Sequence, residues 1–341
     1  MKKPTFTIFC VFAFLTASLS VGAQEYDLLI KNGHLIDAKN KLDQVMDVAV
    51  LDGKVVAVSA DIPSEKAKKV IDATGMLVVP GLIDIHVHVF HGTNQDQYIS
   101  NSFTSLPPDG FTFRSGVTTV VDAGSSGWKN FKTFREQTID NSKTRVLAFL
   151  NIVGPGMKGG AIEQNLGDMD PKLTAIVARQ NSDVIVGIKL AHYSGHEWDP
   201  LDRTVEAGVQ ANMPVMIDFG GSNPELSMET LLLEKLRPGD IYTHCFAHVK
   251  GRTPVVDENG MVRACAKEAQ EKGIVFDVGH GGGSFVFEQA LPAMEQGFMP
   301  NSISTDLHTG SMNAGMKDML NIMSKFLNMG MSLQEVVARS T

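Results

Sequence analysis

Apolar and polar positions alternate along residues 25–80 with the two-residue period of a strand that has one buried face. Segments such as "YDLLIKNGHLID" and "MDVAVLDGKVVAVS" carry the pattern. They contain the dipeptides Asn32–Gly33 and Asp52–Gly53, which are typical of hairpin turns. The pattern predicts a small antiparallel β unit over residues 24–80, ending at Pro80.

From Gly81 onward the pattern changes to apolar runs of strand length, separated by amphipathic segments of helical spacing. This alternation predicts an α/β fold, a (β/α)8 TIM barrel over residues 81–341. A doubly wound open sheet is disfavoured, because the sequence lacks the glycine-rich dinucleotide fingerprint. The eight runs are "GLIDIHVHVF", "GVTTVVDAG", "RVLAFLNIVG", "DVIVGIKL", "MPVMIDFGG", "GDIYTHCFAH", "GIVFDVGHGG" and "NSISTDLH".

The first 23 residues have the pattern of a secretory signal peptide. Lys2 and Lys3 precede the apolar stretch "FTIFCVFAFLTASLSVGA", which ends in small residues. A membrane anchor is the alternative, but about 18 apolar residues are marginal for a span. The sequence therefore predicts cleavage after residue 23 and an exported protein, periplasmic or secreted.

Composition limits the partners of the mature chain. The formal net charge is −8 and no basic run occurs, which argues against nucleic acid and against an anionic membrane surface. We therefore expect a small-molecule substrate and no membrane association after signal cleavage. A homo-oligomer is compatible with the sequence, which does not define an oligomeric state.

Polar side chains that are competent for catalysis or metal binding lie at the carboxyl ends of the predicted strands, where barrels of this kind build their active sites. His86 and His88 are two residues apart in a strand, so both imidazoles face the same side. A single histidine in such a place is more often a hydrogen-bonded core residue, but seven polar residues at equivalent positions indicate a shared site. The other five are Lys189, Asp218, His244, His280 and Asp306.

Histidine and aspartate together form a ligand set for divalent metals such as zinc. Lys189 is the unusual member, because a charged ammonium would be repelled by a cation and burial lowers its pKa. A neutral amine reacts with carbon dioxide to give an anionic carbamate that can bridge two cations. Alternatively, Lys189 pairs with Asp218 or Asp306. A binuclear site would activate a hydroxide, with Asp306 as both ligand and general base.

The chain resembles the amidohydrolase superfamily in "VVPGLIDIHVH", in the lysine that ends strand four and in the "STD" of strand eight. The segments "GIK", "THCF", "FDVGHGGGSF" and "ISTDLH" resemble more narrowly the amidohydrolase/deacetylase metallohydrolases, close to dihydroorotases and D-aminoacylases. The resemblance extends from about residue 26 to the end. It implies zinc and the hydrolysis of amide or ester bonds in small acylated or cyclic substrates.

The resemblance also implies roles for individual residues. His86, His88 and Asp306 would hold one metal, and carboxylated Lys189 would bridge to a second metal that His244 also binds. His280 would contact the substrate carbonyl or carboxylate. The backbone of Gly281 and Gly282 can approach a ligand closely and donate N–H groups.

Two features depart from the family pattern. Relatives usually end strand five with a histidine ligand, where this chain has Asp218. Asp218 either binds the second metal directly or hydrogen-bonds a histidine. In the second case the metal would be loosely held or would recruit His192 or His196. Relatives also continue beyond "SLQEVVARST" with strands that complete a β-sandwich begun by residues 25–80. We therefore expect a small N-terminal, incomplete β-sandwich domain.

Three functions remain open on the sequence alone. The first is a metal-dependent hydrolase of C–N amide bonds, of the deacetylase or cyclic amidase type, with acyl esters as a further class of substrate. The second is a deaminase of the same fold, which would need one metal and no bridging lysine. The third is a degenerate metal-binding protein without catalysis.

Overall fold

The computed structural model describes residues 24–92, 102, 104–218, 222 and 224–341. The predicted signal peptide, residues 1–23, lies outside the described residues. The described residues divide into two compact units: one contains residues 24–35 and Asp43–Val78, and the other contains Ile36–Leu42 and the described residues from Val79 to Thr341. Within the described ranges, no helix has the length and apolar character needed to cross a bilayer.

The smaller unit is a mixed sheet rather than the antiparallel unit that we predicted. Its order is β3–β2–β1–β4, with β5 also paired to β1. β2 and β3 are antiparallel, whereas β4 and β5 run parallel to β1. A parallel pair requires that the chain return to the end of the sheet where the first strand began. The strands are β1 (Tyr26–Asp37), β2 (Leu42–Leu51), β3 (Lys54–Ser59), β4 (Ala67–Asp72) and β5 (Leu77–Val78).

Of the two predicted hairpin turns, only one is a turn. Asp52 and Gly53 join β2 to β3 with φ values of 50° and 70°, as a two-residue hairpin requires. Asn32 and Gly33 instead lie inside β1. A Cβ on Gly33 would be only 2.3 Å from Val78 Cγ2, so this glycine makes room for β5 rather than forming a turn.

The larger unit contains a curled, seven-stranded parallel sheet in the order β12–β11–β10–β9–β8–β7–β6. The strand order follows the chain, as repeated strand–helix units require. The first seven predicted runs form these strands. They are β6 (Leu82–Val87), β7 (Val117–Gly127), β8 (Arg145–Asn151), β9 (Ile185–Ala191), β10 (Val215–Asp218), β11 (Ile241–Tyr242) and β12 (Val275–Phe276).

The eighth predicted run, residues 301–308, does not form a regular strand in the described part of the chain. It makes isolated parallel bridges at both ends of the sheet, Val87 with Leu307 and Asp277 with Ser302. The run is irregular because Thr305 N–H donates to the Asp84 carboxylate instead of a neighbouring strand. Asp306 then adopts a φ of 51°, which is outside the strand region.

Helices follow most strands, as the amphipathic segments predicted. The described residues between β6 and β7 form only short 3-10 turns, Pro108–Gly110 and Phe113–Ser115. In the segment 224–239, which lies between two prolines, a six-residue π-helical stretch forms instead of an α-helix. The predicted capping box of Ser332 and Glu335 is confirmed at the last helix. The helices are α1 (Phe131–Gln137), α2 (Pro171–Gln180), α3 (Asp199–Ala211), the π-helix (Thr230–Lys235), α4 (Ala264–Glu271), α5 (Phe287–Glu295), α6 (Met319–Asn328) and α7 (Leu333–Ala338).

Candidate metal centre

Three buried side chains from opposite ends of the larger unit's sequence meet at the carboxyl end of the sheet. One ligand atom from each of His86, His88 and Asp306 lies within 4.8 Å of the other two. His88 Nε2 is 3.0 Å and His86 Nε2 is 3.7 Å from Asp306 Oδ1. Two imidazole nitrogens and a carboxylate oxygen at this spacing fit a divalent cation such as zinc.

The hydrogen bonds of His86 determine which ring nitrogen faces this cluster. Thr243 donates its hydroxyl proton to Asp277 over 2.7 Å, and its oxygen lies 2.9 Å from His86 Nδ1. Asp277 also accepts hydroxyl protons from Ser302 and Ser304. Because the Thr243 proton is committed to Asp277, His86 Nδ1 is the donor and Nε2 keeps a lone pair for a metal.

His244 is oriented in the same way by backbone. Its Nδ1 lies 2.5 Å from the Gly279 carbonyl oxygen, which can only accept, so Nε2 again carries the lone pair. Gly279 has a φ of 45°, and a Cβ there would lie 2.5 Å from Thr243 Oγ1 and 2.7 Å from His244 Nδ1. A side chain at position 279 would therefore displace both groups.

Lys189 is buried at the end of β9, and its Nζ has no hydrogen-bond partner among the described residues. Gly124 makes room for it: a Cβ there would lie 2.7 Å from Lys189 Cγ. Burial lowers the pKa of Lys189, although the carboxylates of Asp218 and Asp306 oppose this effect. A buried amine without a partner is costly to the free energy of folding.

Asp218 lies at the end of β10 between several cationic or hydrogen-donating groups. Its Oδ2 is 3.3 Å from His244 Nε2 and 3.6 Å from His192 Nε2, and its Oδ1 is 3.3 Å from Arg252 Nη1. Burial raises the pKa of Asp218, but the charges of His244, Lys189 and His192 outweigh it and hold the pKa well below its ordinary value. Asp218 is therefore an anion.

A cavity of about 540 Å³ opens onto these groups. Its size and its mixture of apolar and polar walls suit a small-molecule substrate. Its lining includes all six predicted metal ligands and Gly282, together with residues that the sequence did not single out. The lining consists of His86, His88, Thr104, Met157, Lys189, His192, Asp218, His244, Val249, Arg252, Gly282, Gly283, Ser284, Asp306, His308 and Gly310.

His280 and Gly281 do not belong to this lining. The His280 ring stacks on Phe285 at 4.6 Å, its Nε2 is 2.8 Å from Lys325 Nζ, and its Nδ1 faces the Gly281 carbonyl. Burial lowers the pKa of His280 to about 4. The faces through which we expected His280 to contact substrate are therefore occupied. Gly281 instead leaves space for Asp306, whose Oδ2 would lie 2.6 Å from a Cβ there.

Arg252 and the pair Thr243–Asp277 are the main residues that the sequence reasoning missed. Thr243 directly precedes His244, and Asp277 ends an apolar strand like the other site residues, so their positions carried a usable signal. Arg252 lies in the loop after β11 and bonds the Tyr242 hydroxyl and the Thr243 carbonyl. Nothing in its sequence surroundings indicates that contact.

A curled parallel sheet with a His–His–Asp cluster at the carboxyl ends of its strands defines a metal-dependent hydrolase. No protein-family model matches the chain. A deacetylase from Agrobacterium fabrum (strain C58) is 37% identical over 85% of this chain and 70% of that protein. The crystal structure of a dihydroorotase is 32% identical, with a TM-score of 0.79 over 92% of this chain and 82% of that one. An adenine deaminase structure is 27% identical, with a TM-score of 0.77 over 93% and 83%.

The chain therefore belongs to the amidohydrolase superfamily, in its deacetylase group. This confirms the resemblance drawn from the sequence. Members of this class hydrolyse C–N bonds with the help of metal ions, and the present protein is such a hydrolase. The His86, His88 and Asp306 cluster provides the place for a metal.

Proposed function

We propose that the protein removes an acyl group from the nitrogen of a small amide, with two zinc ions at the centre described above. The observation that carries the proposal is the meeting of His86, His88 and Asp306 within 4.8 Å at the floor of a cavity. The deacetylase from A. fabrum supports an acyl amide as the substrate class. Acyl esters and cyclic amides are the neighbouring classes to be compared.

His86, His88 and Asp306 would hold one cation, and Lys189, His244 and Asp218 would hold the second. Divalent cations at these positions supply Lewis acidity, which lowers the pKa of water and polarises a carbonyl oxygen. His86 and His244 are already oriented with Nε2 toward the site by Thr243 and Gly279. The protein thus presents neutral nitrogen ligands without rearrangement.

Lys189 would act as a carbamate. Its neutral amine forms an N–C bond with the carbon of carbon dioxide and loses a proton, which leaves an anionic carboxylate at the end of the side chain. The unpartnered, buried Nζ and the lowered pKa of Lys189 support this reaction. The added oxygens would reach both cations and explain why the amine has no other partner.

Asp306 would move the proton. Its carboxylate takes a proton from the attacking water and delivers it to the nitrogen of the leaving group, so that an amine and a carboxylic acid are released. Asp306 is suited to this step by its position, because its carboxylate lines the cavity and its Oδ1 lies 3.0 Å from His88 Nε2.

We also propose that residues 301–308 close the curled sheet into a complete barrel and that the protein is exported. The bridges of Leu307 to Val87 and of Ser302 to Asp277 support closure. The hydrogen bond from His88 N–H to the Leu307 carbonyl, at 2.8 Å, supports it as well. Export is supported by the signal-like pattern of residues 1–23. Expression with and without these residues, followed by fractionation, tests it.

Activity and metal content together test the proposed function. The protein would be stripped with a chelator, reloaded with zinc and assayed for carboxylate release from N-acyl-D- and N-acyl-L-amino acids, hydantoins and dihydroorotate. We expect turnover to disappear on stripping and return with zinc. Lys189→Ala should be inactive and partly rescued by short carboxylic acids. Full activity of the stripped protein, or no turnover of any substrate by the loaded protein, would refute the proposal.

A deaminase is the second candidate, since the adenine deaminase structure resembles the chain nearly as well as the dihydroorotase does. The two functions differ in what they release. A deaminase frees ammonia from an amino-substituted heterocycle, whereas an acyl amidase frees a carboxylic acid. An ammonia assay with adenine and related bases distinguishes them. We expect it to be negative, because a deaminase of this fold would need one metal and no bridging lysine, whereas Lys189 Nζ is buried without another partner among the described residues.

A further inference from the structure

We propose that His192 is a ligand of the second cation, together with Asp218 and His244; this rests on the two-cation site proposed above. His192 directly follows β9 and lines the same cavity as the other ligands. Its Nε2 is 3.6 Å from Asp218 Oδ2, and His244 Nε2 is 3.3 Å from the same oxygen. Both imidazoles therefore lie near the same carboxylate oxygen.

A buried carboxylate fixes the orientation of the His192 ring. Glu163, which is 1% exposed, accepts a hydrogen bond from His192 Nδ1 over 2.9 Å. The other Glu163 oxygen accepts from the Gly159 N–H, which holds the carboxylate in place. A carboxylate behind a histidine is the usual support of a metal-binding imidazole, because it fixes the ring and makes the other nitrogen a better ligand.

The backbone at His192 is also held in a particular conformation. Its φ is 55°, a value that costs energy for a residue other than glycine. The His192 N–H donates to the Asp218 carbonyl, and its own carbonyl accepts from Gln164 Nε2. The first bond attaches His192 to the main chain of Asp218, and the second attaches it to the side chain of Gln164. The strained backbone of His192 therefore occurs at a residue whose imidazole lines the cavity.

Arg252 contacts one of the two carboxylate oxygens of Asp218. The guanidinium occupies Asp218 Oδ1 and is itself fixed by the Tyr242 hydroxyl and the Thr243 carbonyl. This contact engages one lone pair of Oδ1 and therefore disfavours, without preventing, bidentate binding of a cation by Asp218. His192 would lose the proton on Nε2 when a cation binds and would then supply a further nitrogen ligand without adding a negative charge.

Metal stoichiometry and affinity test the proposal. Wild type, His192→Gln, Glu163→Gln and His196→Ala would be loaded with zinc, dialysed and analysed for metal per chain, with a chelator titration of each equivalent. His196 is exposed, lies in the same loop and is absent from the cavity lining, so His196→Ala is the matched control. Cobalt-loaded samples report the ligands of the second ion through their visible absorption.

We expect two equivalents in wild type and in His196→Ala. In His192→Gln the second equivalent should be lost, while the first is retained and the cobalt bands of the second ion disappear. Glu163→Gln should keep both ions but bind the second about 10- to 100-fold more weakly. Circular dichroism and thermal melting establish that each variant is folded, and Glu163→Gln serves as the independent variant if His192→Gln is not.

The outcome is distinguishable from failure of the proposed function. If both variants keep the wild-type affinity for the second ion and unchanged cobalt spectra, His192 is not a ligand, although the hydrolase proposal stands. A single equivalent in wild type also overturns the inference. If wild type binds two ions but hydrolyses no acyl amide, the proposed function fails while the assignment of His192 holds.

Discussion

At the scale of single residues, the site depends on hydrogen bonds to the imidazole nitrogens that point away from the cluster. His86 Nδ1 is held by Thr243 and through it by Asp277, and His244 Nδ1 is held by the Gly279 carbonyl. These partners set the tautomer before any metal arrives. Residues that never touch a ligand therefore control the affinity for it.

Replacing Thr243 with valine removes the hydroxyl while it preserves the branched shape. We expect metal affinity to fall about 10- to 100-fold, because His86 loses its fixed tautomer and Asp277 loses a donor. Thr243→Ser, which keeps the hydroxyl, should remain close to wild type. Chelator competition measures both variants. Equal affinities of the valine and serine variants would show that the hydroxyl is not involved.

Gly279→Ala tests the space between the two held histidines. The new Cβ would lie 2.5 Å from Thr243 Oγ1 and 2.7 Å from His244 Nδ1, at a φ of 45°. Strain of about 1–2 kcal/mol and displacement of His244 should lower stability, metal affinity and activity together. Gly110→Ala is the control, since nothing lies within 4 Å of its Cβ position. Denaturant unfolding measures the stability of both variants, and chelator competition measures their metal affinity. Equal values for Gly279→Ala and Gly110→Ala would contradict the expectation.

At the scale of elements, buried carboxylates bond to backbone where the strand ladder is interrupted. In the smaller unit, Asp47 of β2 is 1% exposed and accepts from the Asn32 and Ile62 N–H groups, and it also pairs with Lys31. In the larger unit, Asp84 accepts from Thr305 in the same way. At these points the chain leaves regular β geometry, but its backbone N–H groups still have a hydrogen-bond acceptor.

Asp47→Asn should destabilise the protein by about 1–3 kcal/mol at neutral pH, because one of the two backbone donors loses its acceptor. Burial alone would raise the pKa of Asp47, but the two N–H groups and Lys31 outweigh it and lower the pKa. The contribution is thus fully present above the unfolded pKa of about 3.9 and is lost as pH falls through the lower folded value.

Denaturant titrations of wild type and Asp47→Asn across pH measure this contribution as a difference in unfolding free energy. The difference should be constant above about pH 5 and shrink below about pH 4. Asp61→Asn is the matched control, since Asp61 also pairs with Lys31 but is 87% exposed. A gap between wild type and Asp47→Asn that does not change with pH would contradict the account.

At the scale of the whole molecule, the metal centre connects parts of the chain that are far apart in sequence. His86 and Asp306 are separated by most of the larger unit. Lys189 and Asp218 lie in strands between them, and His244 follows β11. A cation bound by these side chains would cross-link the curled sheet. Its binding free energy would then contribute to the stability of the folded state.

Removal of metal should therefore lower the melting temperature as well as the activity. A cation present at 100 times its Kd stabilises the folded state by about 2.7 kcal/mol. Thermal melts with zinc and with excess chelator measure the shift. In His86→Ala, which lacks a ligand of the first cluster, the shift should be much smaller. Identical melts of loaded and stripped wild-type protein would contradict this coupling.

The metal-binding cluster could be predicted from the sequence because strand periodicity and polarity are local properties. The spacing of His86 and His88 places both rings on one side of a strand, and Asp306 follows an apolar run, so parallel strands bring them together. The contact of Arg252 with Asp218 could not be predicted, because a loop's path depends on the whole fold. The position of His280 outside the cavity lining could not be predicted for the same reason, and its contact with substrate stays a prediction.

The sequence by itself determined the seven parallel strands, the helices between most of them and the types of residue available for a metal, since short-range patterns of polarity encode these features. Only the tertiary structure decided which groups meet. His280 contacts Lys325 and Phe285, and Glu163 hydrogen-bonds His192. β5 pairs in parallel with β1 beside Gly33. Such contacts join residues distant in the chain, and their geometry is fixed by packing rather than by local propensity.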